Sequence, residues 1–381
     1  MEFNMVYQNV CVARGKDYWD YERHQMHDSD WLDPEAYAIT ERLGSGKFSE
    51  VMEAIDTVRI RPVVLKILKP IHIKKVKREV AILQLLRGGL NVVGLEGLCR
   101  DKNADTVTLV FEHLGDEAQW LAHSAPLPPS AQRRHHHTGH DGGARRELRA
   151  YDIKFHMYKL LQALDFSHSC GVMHRDVKPR NVIINHGTRE LRLIDWGLGD
   201  FYIPGRRYAV RVGSRYYKAP ELLYYDYSVD MFSAGCVLAG LLLRREPFFR
   251  GRDNEDQLVR ICCVLGTAPL FAYLKRYGIL LDAKLAAALG AHAAKDWWSF
   301  VNSDNSELVS DAAFDLLSRM LRFDHQERIT AKAAMAHAFF DDVRGEIAAA
   351  LRDCGGGGGS SSSGGGGSCC DGSSSVGDER W

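Results

Sequence analysis

From Tyr37 to about Phe111 apolar residues alternate with polar ones in short runs, the period of a β-strand; from Tyr151 onward helical periodicity dominates. In Val63-Val64-Leu65-Lys66-Ile67-Leu68 the two-residue period sets Val64, Lys66 and Leu68 on one face. A helix is predicted to follow, with Ile73, Val76, Val80 and Leu83 as its apolar stripe and Lys74, Lys75, Lys77 and Arg78 flanking that stripe toward solvent. Further helical runs pass through Leu160, Leu161 and Leu164, then 234–243, 312–321 and 331–340. The pattern predicts an α+β chain, with a small strand-rich part carrying one major helix and a larger helical part after it.

Three stretches interrupt the periodicity. Residues 1–36 are aromatic and charged, with Tyr18, Trp19, Tyr21 and Trp31, and read as an extended segment packed on a neighbouring lobe. Residues from about 116 to 149 bring Pro126, Pro128, Pro129, the histidine run 135–137 and Gly142-Gly143, the composition of a surface insertion. After Cys354 glycine and serine dominate, too poor in apolar surface to order themselves. The expected organisation is an N-terminal segment 1–36, a lobe 37–113, a lobe 114–342 carrying the insertion, and a flexible tail 343–381.

A hydrophobic content of 45% over 381 residues suffices for one large core or two lobes. Lys plus Arg and Asp plus Glu each number 49, so net charge predicts neither nucleic-acid nor membrane binding, and electrostatic recognition must come from local clusters. The nine cysteines include Cys262-Cys263 and Cys369-Cys370 but no Cys-x-x-Cys, which favours reduced thiols over a zinc ribbon or disulfide framework. Residues 1–14 lack the apolar core of a signal peptide and 234–243 is too short to cross a bilayer, so a cytoplasmic and nuclear location is expected.

His174-Arg175-Asp176-Val177-Lys178-Pro179-Arg180-Asn181 is followed, nineteen residues after Asp176, by Asp195-Trp196-Gly197 and then by Ala219-Pro220-Glu221. Upstream stand Gly44-Ser45-Gly46-Lys47-Phe48-Ser49-Glu50-Val51, between two strands, and Lys66, inside an apolar one. This order and spacing are those of a protein kinase, whose chemistry is positioning and charge neutralisation around a transferring phosphate. The glycines let backbone amides approach phosphates, although Ser49 replaces the third of the usual pattern and an ordinary hairpin would look the same. Lys66 costs free energy inside a strand unless its ammonium meets anions: Glu79 is one partner and nucleotide phosphates the other, against the blander reading of a lysine snorkelling at a strand edge. Asp176 is suited to accept the proton of a substrate hydroxyl, and Lys178 to neutralise the phosphate and favour Ser/Thr over Tyr. Asn181 and Asp195 supply the hard oxygens that Mg²⁺ prefers. Glu221 is expected to pair with Arg328, and Asp230 to cap amides near the catalytic loop.

At Asp17-Tyr18-Trp19-Asp20-Tyr21-Glu22, at Asp195-Trp196-Gly197, and from Arg245 to Phe249 and Asp256 to Ile261, the chain resembles the catalytic alpha subunits of casein kinase II, over about Asp17 to Phe340. The resemblance implies a two-lobed eukaryotic protein kinase fold and a Ser/Thr kinase that selects acidic residues after the acceptor. It further implies ATP, and GTP beside it, as phosphate donor with Mg²⁺, and assembly on a dimer of regulatory beta subunits. Arg211, Arg215 and Lys218 match the family's readers of an acid at +1, and Lys74, Lys75, Lys77 and Arg78 would read one at +3. For the helix cluster a solvated face or a nuclear-import signal is the alternative. The adenine pocket implied is Leu43, Val51, Val64, Phe111, Ile183 and Ile194, with backbone hydrogen bonds from Glu112 and Leu114 and with Gly44, Ser45 and Gly46 over the phosphates. Ser214 is the one hydroxyl other than tyrosine between Asp195 and Glu221, so an activating phosphothreonine has no place and constant activity is expected. In the family the N-terminal segment, matched by Tyr18 to Glu22, holds the activation segment, and the Trp196 indole adds an anchor that Phe lacks.

The match also has departures. The stretch 116–149 is on the order of twenty residues longer than the family pattern, which bears on hinge geometry and GTP use. Its His135, His136, His137 and His140 lack Cys or acidic partners, a poor set for metal. Tyr224-Tyr225-Asp226-Tyr227 is a shorter stretch than usual, Phe232 stands where Trp is usual, and His72 and Ile73 replace two lysines. In the tail, Ser368 precedes Asp371 and Ser375 precedes Asp378 by three residues, which fits autophosphorylation. Two other classes stay open. A pseudokinase scaffold would usually lack Lys66, Asp176 or Asp195, and all three are present. A proline-directed, cyclin-dependent-type kinase fits poorly with three basic residues before Ala219.

Overall fold

Val63 and Leu65, alternating with Val64 and Lys66 along strand β3 (Arg61–Leu68), are buried with Ala54, Cys99 and Val110 in a small apolar cluster. Val64 and Lys66 are left to face the other way, into a cleft. In the computed structural model, which describes residues 6–24, 30–101, 106–115, 118–121, 148–209, 212–221 and 225–347, β3 is the centre of an antiparallel sheet. Its order is β1 (Tyr37–Ser45), β2 (Ser49–Asp56), β3, β5 (Thr106–Glu112), β4 (Leu95–Asp101). Residues 1–343 make one unit and 344–381 a second, of which only 344–347 are described.

Helix α3 (Ile73–Leu85) starts on His72, whose side chain accepts from the Lys74 amide and so caps one orphan donor of the first turn. Val76, Glu79, Val80, Ala81, Ile82 and Leu83 are buried. Ile73, expected on the stripe, is half exposed, because the buried run begins a turn later at Val76.

The helical part is built on α4 (Ala150–Ser169) and α5 (Ser228–Leu242). Leu160, Leu161 and Leu164 of the first and Phe232, Val237 and Leu238 of the second share a core with Leu316 and Leu317. Among the described residues no single helix is long and apolar enough to cross a membrane. Between α4 and α5 lie strands too short to announce themselves by alternation: β7 (Val172–Met173) pairs with β10 (Asp200–Phe201), and β8 (Val182–Asn185) with β9 (Glu190–Leu193). β6 (Ala118–Trp120) also pairs with β8, so the stretch expected to be a loop opens as a strand. Most of the rest of that stretch, with its histidines, lies outside the described residues, as do Tyr224 and the tail serines. The helix expected over 331–340 stops at Met335, where His337 accepts from the Phe339 amide and starts a tight turn.

The N-terminal segment is not extended. It forms helices α1 (Val10–Arg14) and α2 (Lys16–Trp19), too short to carry a periodic signal. Tyr18 donates to the Cys170 carbonyl at 3.0 Å and meets Phe201 edge-on. Cys11 packs over Gly171, where a Cβ would come within 2.6 Å of the Cys11 sulfur and φ is +77°, so both space and backbone call for glycine.

Candidate active site

The β1–β2 hairpin carries Gly44, Ser45 and Gly46 over a cleft of about 470 Å³. Leu43, Val51, Val64, Phe111, Glu112, Leu114, Ile183 and Ile194, the residues expected around a purine, line it. Among the described residues nothing lies within 4 Å of where a Gly44 side chain would begin, which leaves room for phosphates against the backbone. Val93, Glu53, His113, Gly115, Ala118, Gln119 and Arg180 also line the cleft and escaped the sequence reading. Arg180 was within reach, since it sits inside the catalytic-loop motif; the others reach the cleft from strands β2 and β6 and from loops beside them, an approach that no local pattern encodes.

Lys66 is the hub of the cleft. Its Nζ lies 2.7 Å from Glu79 Oε1, on α3, and 2.7 Å from Asp195 Oδ1. Burial disfavours its charge, but the two carboxylates outweigh that and raise its pKa above the usual lysine value. Asp195 moves the opposite way: burial alone favours the neutral acid, and Lys66 overrides it, lowering the pKa. Asp195 is left-handed at φ +61°, tolerable for aspartate and a mark of imposed geometry.

The catalytic loop is pinned from below by Asp230 of α5, which is fully buried and accepts from the amides of His174 at 2.8 Å and Arg175 at 2.7 Å. Burial opposes ionisation there, but His168, 3.0 Å away, and the amides hold its pKa low. Asp230 is therefore the cap expected of it. Above it, Asp176 accepts from Lys178 Nζ at 2.5 Å and from the Ser214 amide at 2.7 Å. Lys178 also reaches Ser214 Oγ at 3.0 Å. Asn181 donates its amide nitrogen to the Asp176 carbonyl at 2.9 Å, which turns its Oδ1 away from that bond. Asn181 and Asp195 thus offer a carbonyl and a carboxylate oxygen in one cleft, a donor set that fits a hard divalent cation.

Trp196 is fully buried, edge-on to His174 at 4.6 Å, with its indole N–H donated to the Leu193 carbonyl at 3.2 Å. Just beyond it, buried Asp200 gathers three arginines: Arg175 at 3.1 Å, Arg78 of α3 at 3.5 Å and Arg206 at 3.9 Å. Sequence reading missed this node. The expected pair of Glu221 with Arg328 is present and buried.

The basic residues are more dispersed than their sequence clustering implies. Lys74 pairs with Glu22 at 2.8 Å, Lys77 donates to the Glu22 carbonyl at 3.4 Å, and Lys75 lies 5.0 Å over the Phe48 ring. Arg78 belongs to the Asp200 node and donates to the Gly197 carbonyl, so it does not face solvent with the lysines. Lys218 lines a small pocket with Asp176, Gly213 and Ser214. Arg215 donates to the Gly251 and Arg252 carbonyls, and Arg211 lies outside the described residues.

The family model of the protein kinase domain matches residues 37–340, and the chain belongs to that family. The family assignment carries phosphate transfer to protein substrates, with ATP and a divalent metal.

Proposed function

We propose that this chain is a Ser/Thr protein kinase of casein kinase II type, active without upstream phosphorylation and directed at hydroxyls followed by acidic residues. The observation that carries activity is the Lys66 hub, joined to both Glu79 and Asp195. In kinases this lysine–glutamate pair and the metal-binding aspartate must both be in place for transfer.

In the reaction the substrate hydroxyl oxygen bonds to the γ-phosphorus of ATP as the bond from that phosphorus to the β–γ bridging oxygen breaks. ADP leaves with that electron pair, and the hydroxyl proton passes to Asp176. Lys178, bonded to Asp176 and Ser214, would neutralise the charge of the moving phosphoryl group. Lys66 holds the nucleotide phosphates. Mg²⁺, when bound through Asn181 and Asp195, neutralises phosphate charge. Lys218, with Arg211 and Arg215, would meet an acid at +1, and Lys75, with Lys74 and Lys77, one at +3. Family resemblance adds GTP as donor, the beta-subunit dimer as partner, and a cytoplasmic and nuclear location.

The test is phosphate transfer to a Ser peptide with acids at +1 and +3, against the same peptide with proline at +1, with Asp176→Asn as control. Transfer to the acidic peptide alone, lowered roughly 10²–10⁴-fold in the control, is expected. Transfer only to the proline peptide overturns the substrate assignment, and none to either makes the chain a scaffold.

A further inference from the structure

The tip of the glycine-rich hairpin is held by a lysine that belongs to none of the catalytic motifs. β1 ends at Ser45 and β2 begins at Ser49, and the turn between them is closed by the Gly46 amide, which donates to the Ser49 carbonyl at 2.8 Å. Lys69, one residue past the end of β3, grips this turn twice. Its amide donates to the Phe48 carbonyl at 2.9 Å, and its Nζ donates to the Gly46 carbonyl at 3.0 Å.

The second bond decides how the Gly46–Lys47 peptide is turned. Gly46 is not left-handed, and among the described residues a side chain there would meet only the Ser49 carbonyl, at 3.7 Å, so neither conformation nor crowding dictates the orientation. Glycine also has the most backbone freedom to lose, which an unheld turn would give up each time a nucleotide binds. In a planar trans peptide the C=O and the following N–H point to opposite sides. Gly46 lines the cleft, and among the described residues Lys69 is not one of its walls. The Gly46 carbonyl is therefore drawn outward and the Lys47 N–H turned inward. Among the described residues the Lys47 and Phe48 amides donate to no other backbone group. Two consecutive unbonded amides make a seat for phosphate oxygens.

We propose that Lys69 is a positioning residue for the nucleotide phosphates: through the Gly46 carbonyl it sets the glycine-rich turn in its gripping orientation before the nucleotide arrives. It acts on the triphosphate and not on the base. The inference needs only the kinase family and holds whatever the protein substrate is.

The experiment is calorimetric binding of ATP with Mg²⁺, and of adenosine, to the full chain and to Lys69→Met, which keeps an unbranched stem and removes the donor. The variant is expected to bind ATP roughly 3- to 10-fold more weakly than the parent, the effect of one hydrogen bond from a charged donor, and adenosine equally well. Adenosine lacks phosphates, so a variant that merely folds badly would lose both ligands together. The loss for ATP is expected to persist from about 50 to about 300 mM KCl, since salt screens a charge acting through space far more than a bond in contact. Equal ATP binding by parent and variant, a matching loss of adenosine, a difference that vanishes at the higher salt, or no ATP binding by the parent overturns the proposal. ATP binding that shows the expected split, without transfer to any peptide, would leave it standing and remove the proposed activity.

Discussion

Glu246 shows how a single residue ties the substrate side of the cleft to pH. It accepts from the Tyr217 hydroxyl, while its other oxygen, Oε2, is buried without a hydrogen-bond partner. Burial pushes its pKa up from the ordinary 4.5 to about 8. Between those two values the folded chain holds a proton that the unfolded chain has released, so stability falls as pH rises across that window. Below about 4.5 both states are protonated and the penalty is absent; above about 8 it is complete. Melting temperatures from pH 5 to 8.5 are expected to decline for the parent and to decline less for Glu246→Gln. A parent and variant with parallel profiles would show that Glu246 is not the group responsible. Tyr217 neighbours Lys218, so the same series measured as KM for the acidic peptide reports whether the proton is felt at the substrate.

At the scale of elements, the segment before the sheet and helix α3 form a pair whose consequence runs through Glu22. That carboxylate and its carbonyl engage Lys74 and Lys77, two of the three lysines expected to read an acid at +3. Both lysines are on the surface, where such pairs are weak and exchange readily with a competing anion. Glu22→Gln is therefore expected to lower the KM for a peptide with an acid at +3 by roughly 2- to 5-fold, and to leave KM unchanged for a peptide lacking that acid. Equal KM values for parent and variant on the first peptide would mean that these lysines brace the N-terminal segment and read nothing. Phe48 belongs to the same face: Lys47 and Lys75 lie 5.3 and 5.0 Å over its ring, linking the glycine-rich hairpin to α3.

Over the whole molecule, what could be read from sequence follows from how narrowly chemistry constrains each position. Lys66, Asp176, Asn181 and Asp195 were legible because a phosphate site tolerates few substitutes at fixed spacing; Lys66, Asn181 and Asp195 line one cleft, and Asn181 joins Asp176 to it through the Asp176 carbonyl. Strand β3 and helix α3 were legible because each buries one face. The two-residue strands β7 and β10 and the helices of four and five residues before the sheet were not, since a period needs several repeats to show. Val93 and Gln119 were hidden for a different reason: each reaches the cleft from a segment far in sequence from its other walls, which no local pattern carries.

The Asp200 node belongs to that last kind and joins the most distant parts. Arg78 comes from the helix of the small lobe, Arg175 from the catalytic loop, Arg206 from the activation segment, and all three point at one carboxylate that is 4% exposed. In kinases switched on by phosphorylation, new arginine–phosphate pairs order the activation loop. A genetically encoded carboxylate in the midst of three arginines can do the same without any modifying enzyme, which supplies a physical basis for the constant activity proposed here. Asp200→Asn removes the charge and keeps the size, leaving three guanidinium groups facing one another across the lobes. Breaking a buried pair in this way costs about 3–5 kcal/mol. The variant is expected to melt several degrees lower and to lose at least roughly tenfold in kcat, with KM for ATP changed much less, because the cleft walls are untouched. Asp200→Glu, which restores the charge, should recover most of the kcat. Full activity in Asp200→Asn would show that the activation segment is held by the N-terminal helices and Trp196 alone, and that the arginines serve only to pack the lobes.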